Sequence, residues 1–114
     1  MTFSLGLAVF FGILAGLCAS MQGPLTSSIS QRIGVLPATL LIHVAGAVVA
    51  ALALLASRQG SVASAGPLLV RILFAGAFGV GVLGSVAISV GRLGVTAALT
   101  LMIAAQMSAA LVID

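Results

Sequence analysis

Few side chains in this sequence can do chemistry, and their types narrow it quickly. Across 114 residues there is one carboxylate (Asp114), one imidazole (His43) and one thiol (Cys18), with no Glu, Lys, Trp or Tyr. Covalent catalysis needs a nucleophile, a base and a group that orients the base. Cys18 and His43 alone do not make that set. A structural metal site takes about four Cys, His or carboxylate ligands, and no second His exists. No glycine-rich loop carries a Lys for phosphates. The expectation is therefore no enzyme, no metal and no cofactor.

What remains is hydrogen bonding at membrane depth, where every polar group needs a reason. Gln22 stands beside Gly23-Pro24. Pro24 lacks a backbone donor and disturbs the carbonyl one turn earlier. The Gln22 amide either repairs that ladder or binds a substrate's polar group. Gln106 is either interhelical glue or, with Gln22, one wall of a shared polar cavity. His43 either stays neutral and bonded to a neighbour or relays protons. Ser85, Ser89 and Arg92 follow i, i+4, i+7 spacing, a stripe rising to one helix end. Either this stripe admits a polar or anionic solute, or the serines bond back to their own helix and Arg92 snorkels to the headgroups. Gln22, His43, Ser85, Ser89 and Gln106 are the candidate substrate-binding residues.

The elements that must position these groups follow from composition. Hydrophobic residues make up 62% of the chain and charged residues 4%. A soluble domain needs about 25% charged residues to cover its surface. The natural solvent of this chain is a bilayer, which excludes a soluble enzyme and a nucleic-acid binder. The net charge of +3 comes from Arg32, Arg58, Arg71 and Arg92 against Asp114. These arginines stand too far apart for a polybasic patch. The first apolar stretch has no basic n-region, so it reads as a retained helix rather than a cleaved signal. Leu17 also stands where a lipoprotein cleavage site before Cys18 wants a small residue.

Spanning helices need about 20 apolar residues. Runs of that kind occupy 3–33, 37–56, 67–90 and 95–113, forming a single all-α transmembrane domain over 1–114. Gly34 suits the end of the first helix, and Pro37 and Pro67 suit helix starts. Residues 61–66 are the longest polar break, and 91–94 form a tight link. Barrel strands would alternate polar and apolar positions, and these runs are apolar on every face.

Gly12, Gly16 and Gly23, with Ala19, line one face of the first helix; Gly76 and Gly84, with Ala87 and Gly91, do so on the third. Small residues let helices approach closely in lipid, within one chain or between copies. Orientation is set by loop arginines. Arg32 and Arg92 fall at one end, Arg58 and Arg71 at the other. The tie predicts either an orienting partner or dual topology, with copies inserted both ways and paired as an antiparallel dimer.

Met21-Gln22-Gly23-Pro24-Leu25 with Arg32-Ile33-Gly34 resembles the end of the first helix in the YdcZ-like family of small bacterial membrane proteins. Gly91-Arg92-Leu93-Gly94-Val95, Ala105-Gln106 and Leu111-Val112-Ile113-Asp114 resemble that family's later half. The family belongs to the drug/metabolite transporter superfamily, which includes the small multidrug resistance exporters. The resemblance implies a permease-like protein of the bacterial inner membrane, multi-pass, working as an antiparallel homodimer or with a paired homologous subunit. Family members commonly continue past the acidic position into a further helix, so this sequence is either a short form or a truncated one. The multidrug exporters use a membrane Glu in the first helix. This sequence has Gln22 in the matching region, which argues against proton-driven export of drug cations.

The absence of Trp and Tyr also argues against flat cations, which favour aromatic walls. The expected function is alternating-access transport of a small polar or weakly polar solute by a dimer. The solute would sit between the first three helices, with the fourth supporting assembly. The alternatives are a non-transporting assembly or regulatory subunit and a passive channel. The expected partners are lipid, a second copy and a small solute, with no nucleic acid.

Overall fold

The computed structural model describes residues 4–114. Four long helices account for almost all of them: α1 (Leu5–Ile33), α2 (Val35–Ser57), α3 (Leu69–Leu93) and α4 (Val95–Ile113). Each is long and apolar enough to cross a membrane, and no strand occurs among the described residues. Ser4 caps α1, its hydroxyl oxygen accepting from the Leu7 amide at 3.4 Å. Pro24 does not break α1, which runs through it for 29 residues.

Single glycines make the two tightest connections. Gly34 (φ 95°) separates α1 from α2, and Gly94 (φ 81°) separates α3 from α4. A side chain is strained at these angles, so glycine lets one residue turn the chain. α3 continues through Gly91-Arg92-Leu93, so the link expected at 91–94 shrinks to Gly94. α2 starts at Val35, which places Pro37 in its first turn, where backbone amides have no helical partner anyway. Pro67 does not open α3. It lies in a 3-10 segment, Val62–Leu68, that occupies much of the expected polar break.

α1 and α3 form the most extensive contact, α2 and α4 flank them, and α2 does not touch α4. This arrangement treats α1–α2 and α3–α4 as equivalent hairpins. Their sequences agree at a spacing of sixty positions: Arg32 with Arg92, Gly34 with Gly94, Val35 with Val95, Ala38 with Ala98. Burial follows the same register. Gly23, Ser27, Ser30 and Ala38 are buried in the first hairpin, and Leu83, Ala87, Val90 and Ala98 in the second.

All of these positions lie in the half of the bundle nearest Gly34 and Gly94. Residues 5–18, 44–57, 69–78 and 103–113 are exposed along their whole length. The bundle is closed at the glycine-link end and uncovered at the other. Its outward side chains include Leu5, Phe10, Leu52, Phe78 and Leu111. In water that surface would be prohibitive. In lipid it costs nothing, and every backbone group inside a helix is satisfied there.

Candidate functional site

Three of the five candidate residues meet in one groove. Ser85 and Ser89 of α3 and Gln106 of α4 line a cleft of about 480 Å³ with Phe78, Leu99 and Met102. Clefts of about 300–1,000 Å³ hold small molecules when an apolar lining carries a few convergent polar groups. The α3 helix aligns Ser85 and Ser89 one turn apart, and α4 brings Gln106 across from them.

The free state of these polar groups sets the cleft apart. A helical Ser or Thr usually bonds back to a carbonyl three or four residues earlier. Ser20, Thr26, Ser28, Ser30, Ser57, Thr100 and Ser108 all do so, at 2.8–3.3 Å. Ser85, Ser89 and Gln106 make no side-chain hydrogen bond among the described residues. The cleft thus offers two hydroxyls and one amide, able together to donate and accept. Neither the back-bonded Ser85 and Ser89 nor the interhelical Gln106 bond weighed from the sequence is formed among the described residues.

Gln22 and His43 occupy a different place. They line a smaller, open recess of about 380 Å³ between α1 and α2, with Leu83 of α3 also on its wall. Gln22 and Gln106 therefore line different cavities. The Gln22 amide is exposed and makes no hydrogen bond among the described residues, so it does not repair the ladder around Pro24. The Thr26 hydroxyl donates to the Gln22 carbonyl instead, at 2.8 Å. His43 Nδ1 lies 2.8 Å from the Thr39 carbonyl oxygen. A carbonyl only accepts, so Nδ1 carries the hydrogen.

The glycines divide similarly. A Cβ on Gly23 would meet Val86, Val90 and Leu99 at 3.5–3.8 Å, and one on Gly84 would meet Val35 at 3.7 Å. Gly12, Gly16 and Gly76 meet nothing within 4 Å. Gly79, which lies outside the sequence stripe on α3, and Gly91, which belongs to it, hold the closest approaches. A Cβ there would lie 3.2 Å from His43 Nε2 and 3.3 Å from Ser27 Oγ. Their signal was local. Both are glycines inside a helix, where glycine is otherwise unfavourable.

The arginines keep their two-against-two division. Arg32 and Arg92 sit in the last turns of α1 and α3, where a cation complements the helix dipole. Arg58 follows α2 at the opposite end, near Arg71 in the first turn of α3. Asp114, following α4, lies at that same end.

The chain matches the family described as "Putative inner membrane exporter, YdcZ" over residues 7–114. No curated protein and no solved structure matches it.

Proposed function

Since this chain belongs to the YdcZ family of inner-membrane exporters, and is a multi-pass protein with four helices long enough to span, we propose that it exports a small, neutral or weakly polar solute held in the α3–α4 cleft. That family is one of transporters, not of enzymes. One observation carries the proposal: Ser85, Ser89 and Gln106 face a cleft of about 480 Å³ with their hydrogen bonds unmade. An unpaired amide or hydroxyl in an apolar medium costs about 1–3 kcal/mol. A solute carrying both a donor and an acceptor recovers that cost. The site draws on α3 and α4, so the fourth helix contributes to binding and not only to assembly.

The working unit is a dimer of antiparallel copies. Two features support it. The uncovered half of each helix leaves an apolar surface that a second copy can cover, and the arginines stand two at each end. Alternating access then consists of rocking one hairpin against the other. The open end of the bundle exposes the solute first on one side and then on the other.

The test is solute exchange in liposomes, preceded by a ligand-stabilisation screen to find the solute. Gln106→Ala and the Ser85→Ala/Ser89→Ala pair are expected to weaken saturable exchange while the protein stays folded and assembled. Exchange that never saturates indicates a channel. Unchanged exchange in both variants removes the cleft from the pathway. A non-transporting assembly subunit rests on the same unpaired amides, with Gln22 and Gln106 bonding between copies. It predicts that both Gln→Ala variants separate the copies and that no solute stabilises the wild type.

A further inference from the structure

The two hairpins carry equivalent grooves. At the spacing of sixty that relates them, Gln22, Ile42 and Gly46 of the α1–α2 recess fall on Val82, Met102 and Gln106 of the α3–α4 cleft. The recess is thus the smaller counterpart of the solute cleft, about 380 Å³ against about 480 Å³. Each holds one carboxamide. In α3–α4 it comes from the second helix, as Gln106, with Val82 on the first. In α1–α2 it comes from the first helix, as Gln22, with Gly46 on the second.

The depth is shared as well. Gln22 lies twelve residues before Gly34, and Gln106 twelve after Gly94. At about 1.5 Å per residue, both amides stand about 18 Å from the linking glycines, well inside a hydrocarbon core of about 30 Å. An amide at that depth needs a partner. The Gln22 side chain is exposed, lines the recess and makes no hydrogen bond among the described residues. His43, also on the wall, has Nδ1 committed to the Thr39 carbonyl. The α2 wall is bare at Gly46, where an added Cβ would meet nothing within 4 Å.

We propose that the α1–α2 recess is a second solute site, equivalent to the cleft, and that both read a primary carboxamide or urea group. The proposal rests on the reading of the α3–α4 cleft as a solute site. A glutamine amide carries an acceptor oxygen and a donor nitrogen side by side. A primary amide or a urea returns the same pair in reverse order, so two hydrogen bonds close in one plane. An N,N-dialkyl amide has no hydrogen to return and makes one bond at most. An ion finds no carboxylate or guanidinium on the walls of either groove.

The glutamines of the sequence are Gln22, Gln31, Gln59 and Gln106. Labelling glutamine side chains with 15N in nanodiscs therefore reads both sites at once. Gln31, which donates to Ser27, and Gln59, in the connection after α2, are internal controls. The probes are butanamide and N,N-dimethylbutanamide. Butanamide is expected to shift the Gln22 and Gln106 signals to saturation and to leave the controls in place. The dimethyl compound is expected to bind about tenfold more weakly at both, the scale of one hydrogen bond. Gly46→Leu fills the recess and keeps the amide. It is expected to weaken the Gln22 response about tenfold or more and leave that of Gln106 unchanged. A Gln106 signal that saturates while Gln22 stays still overturns the second site and leaves the cleft intact. A Gln22 response indifferent to Gly46→Leu does the same, since it marks an amide merely open to lipid. Movement of Gln22 alone ends the equivalence and counts against the cleft. Equal affinity for the dimethyl compound, or no saturation at either amide, overturns the carboxamide class.

Discussion

The two hairpins share a skeleton, and their first helices, α1 and α3, use hydroxyls in opposite ways. In α1 the buried hydroxyls are those of Thr26, Ser27 and Ser30. They are satisfied locally: Thr26 by the Gln22 carbonyl, Ser30 by the Ser27 carbonyl, and Ser27 Oγ by accepting from Gln31 at 3.3 Å. In α3–α4 the matching positions are Val86, Ala87 and Val90. The hydroxyls there have moved onto the groove face, as Ser85 and Ser89, and are left open. A hydroxyl bonded to its own helix is packing material. One that faces a cleft without a partner is available to a ligand. Residue type alone does not distinguish the two.

The largest effect should come from the contact between the hairpins. Gly91→Val forces a branched side chain against Ser27 and Gln31. It is expected to destabilise the bundle by about 1–3 kcal/mol, as overpacking does, read as a shift in thermal unfolding in detergent. Gly76→Val points into open space and should change stability by less than about 0.5 kcal/mol. Equal losses would mean that the packed and open glycine faces are not different in kind.

A second pair separates binding from packing. Gln106→Ala should weaken solute affinity about tenfold, or about 1.4 kcal/mol, and leave unfolding nearly unchanged. Thr26→Val should do the reverse, costing about 1 kcal/mol of stability for the lost bond to the Gln22 carbonyl with solute affinity intact. If Thr26→Val abolishes binding while Gln106→Ala does not, the site belongs to the other hairpin.

The smallest energy is the orientation bias. Arg32 and Arg92 occupy equivalent places in the two hairpins, so both load the same end, and Arg58 and Arg71 offset them. Two lysines added within 61–64 are expected to bring that loop to the cytoplasm in most copies; two beside Arg92 should do the opposite. A reporter on the C-terminus reads the side. A wild-type chain found on one side only, and indifferent to both insertions, ends the antiparallel reading.

Much of the fold was legible in the residues. Long apolar runs without charge can only be helices in lipid, because any other backbone would leave its hydrogen bonds unmade. Gly34 was legible as a break because a single residue turns the chain there. Pro67 misled for a local reason, since a proline that suits a first helical turn also suits a 3-10 turn. The equivalence of the hairpins was harder to see. It rests on scattered identities, among them Arg32/Arg92, Gly34/Gly94, Val35/Val95 and Ala38/Ala98, within otherwise exchangeable apolar residues, and burial makes it plain.

By itself the sequence determined the solvent, the helices, their breaks and the scarcity of chemistry, because these depend on composition and local backbone preference. It also singled out Gln22, His43, Ser85, Ser89 and Gln106 as polar groups in need of a reason. Only the tertiary structure decided which of them meet. Helix periodicity fixes the face a side chain occupies on its own helix, but not which neighbour that face turns toward. Packing of α3 on α4 joined Ser85, Ser89 and Gln106, packing of α1 on α2 joined Gln22 and His43, and the same packing left the Thr39 hydroxyl buried without a partner.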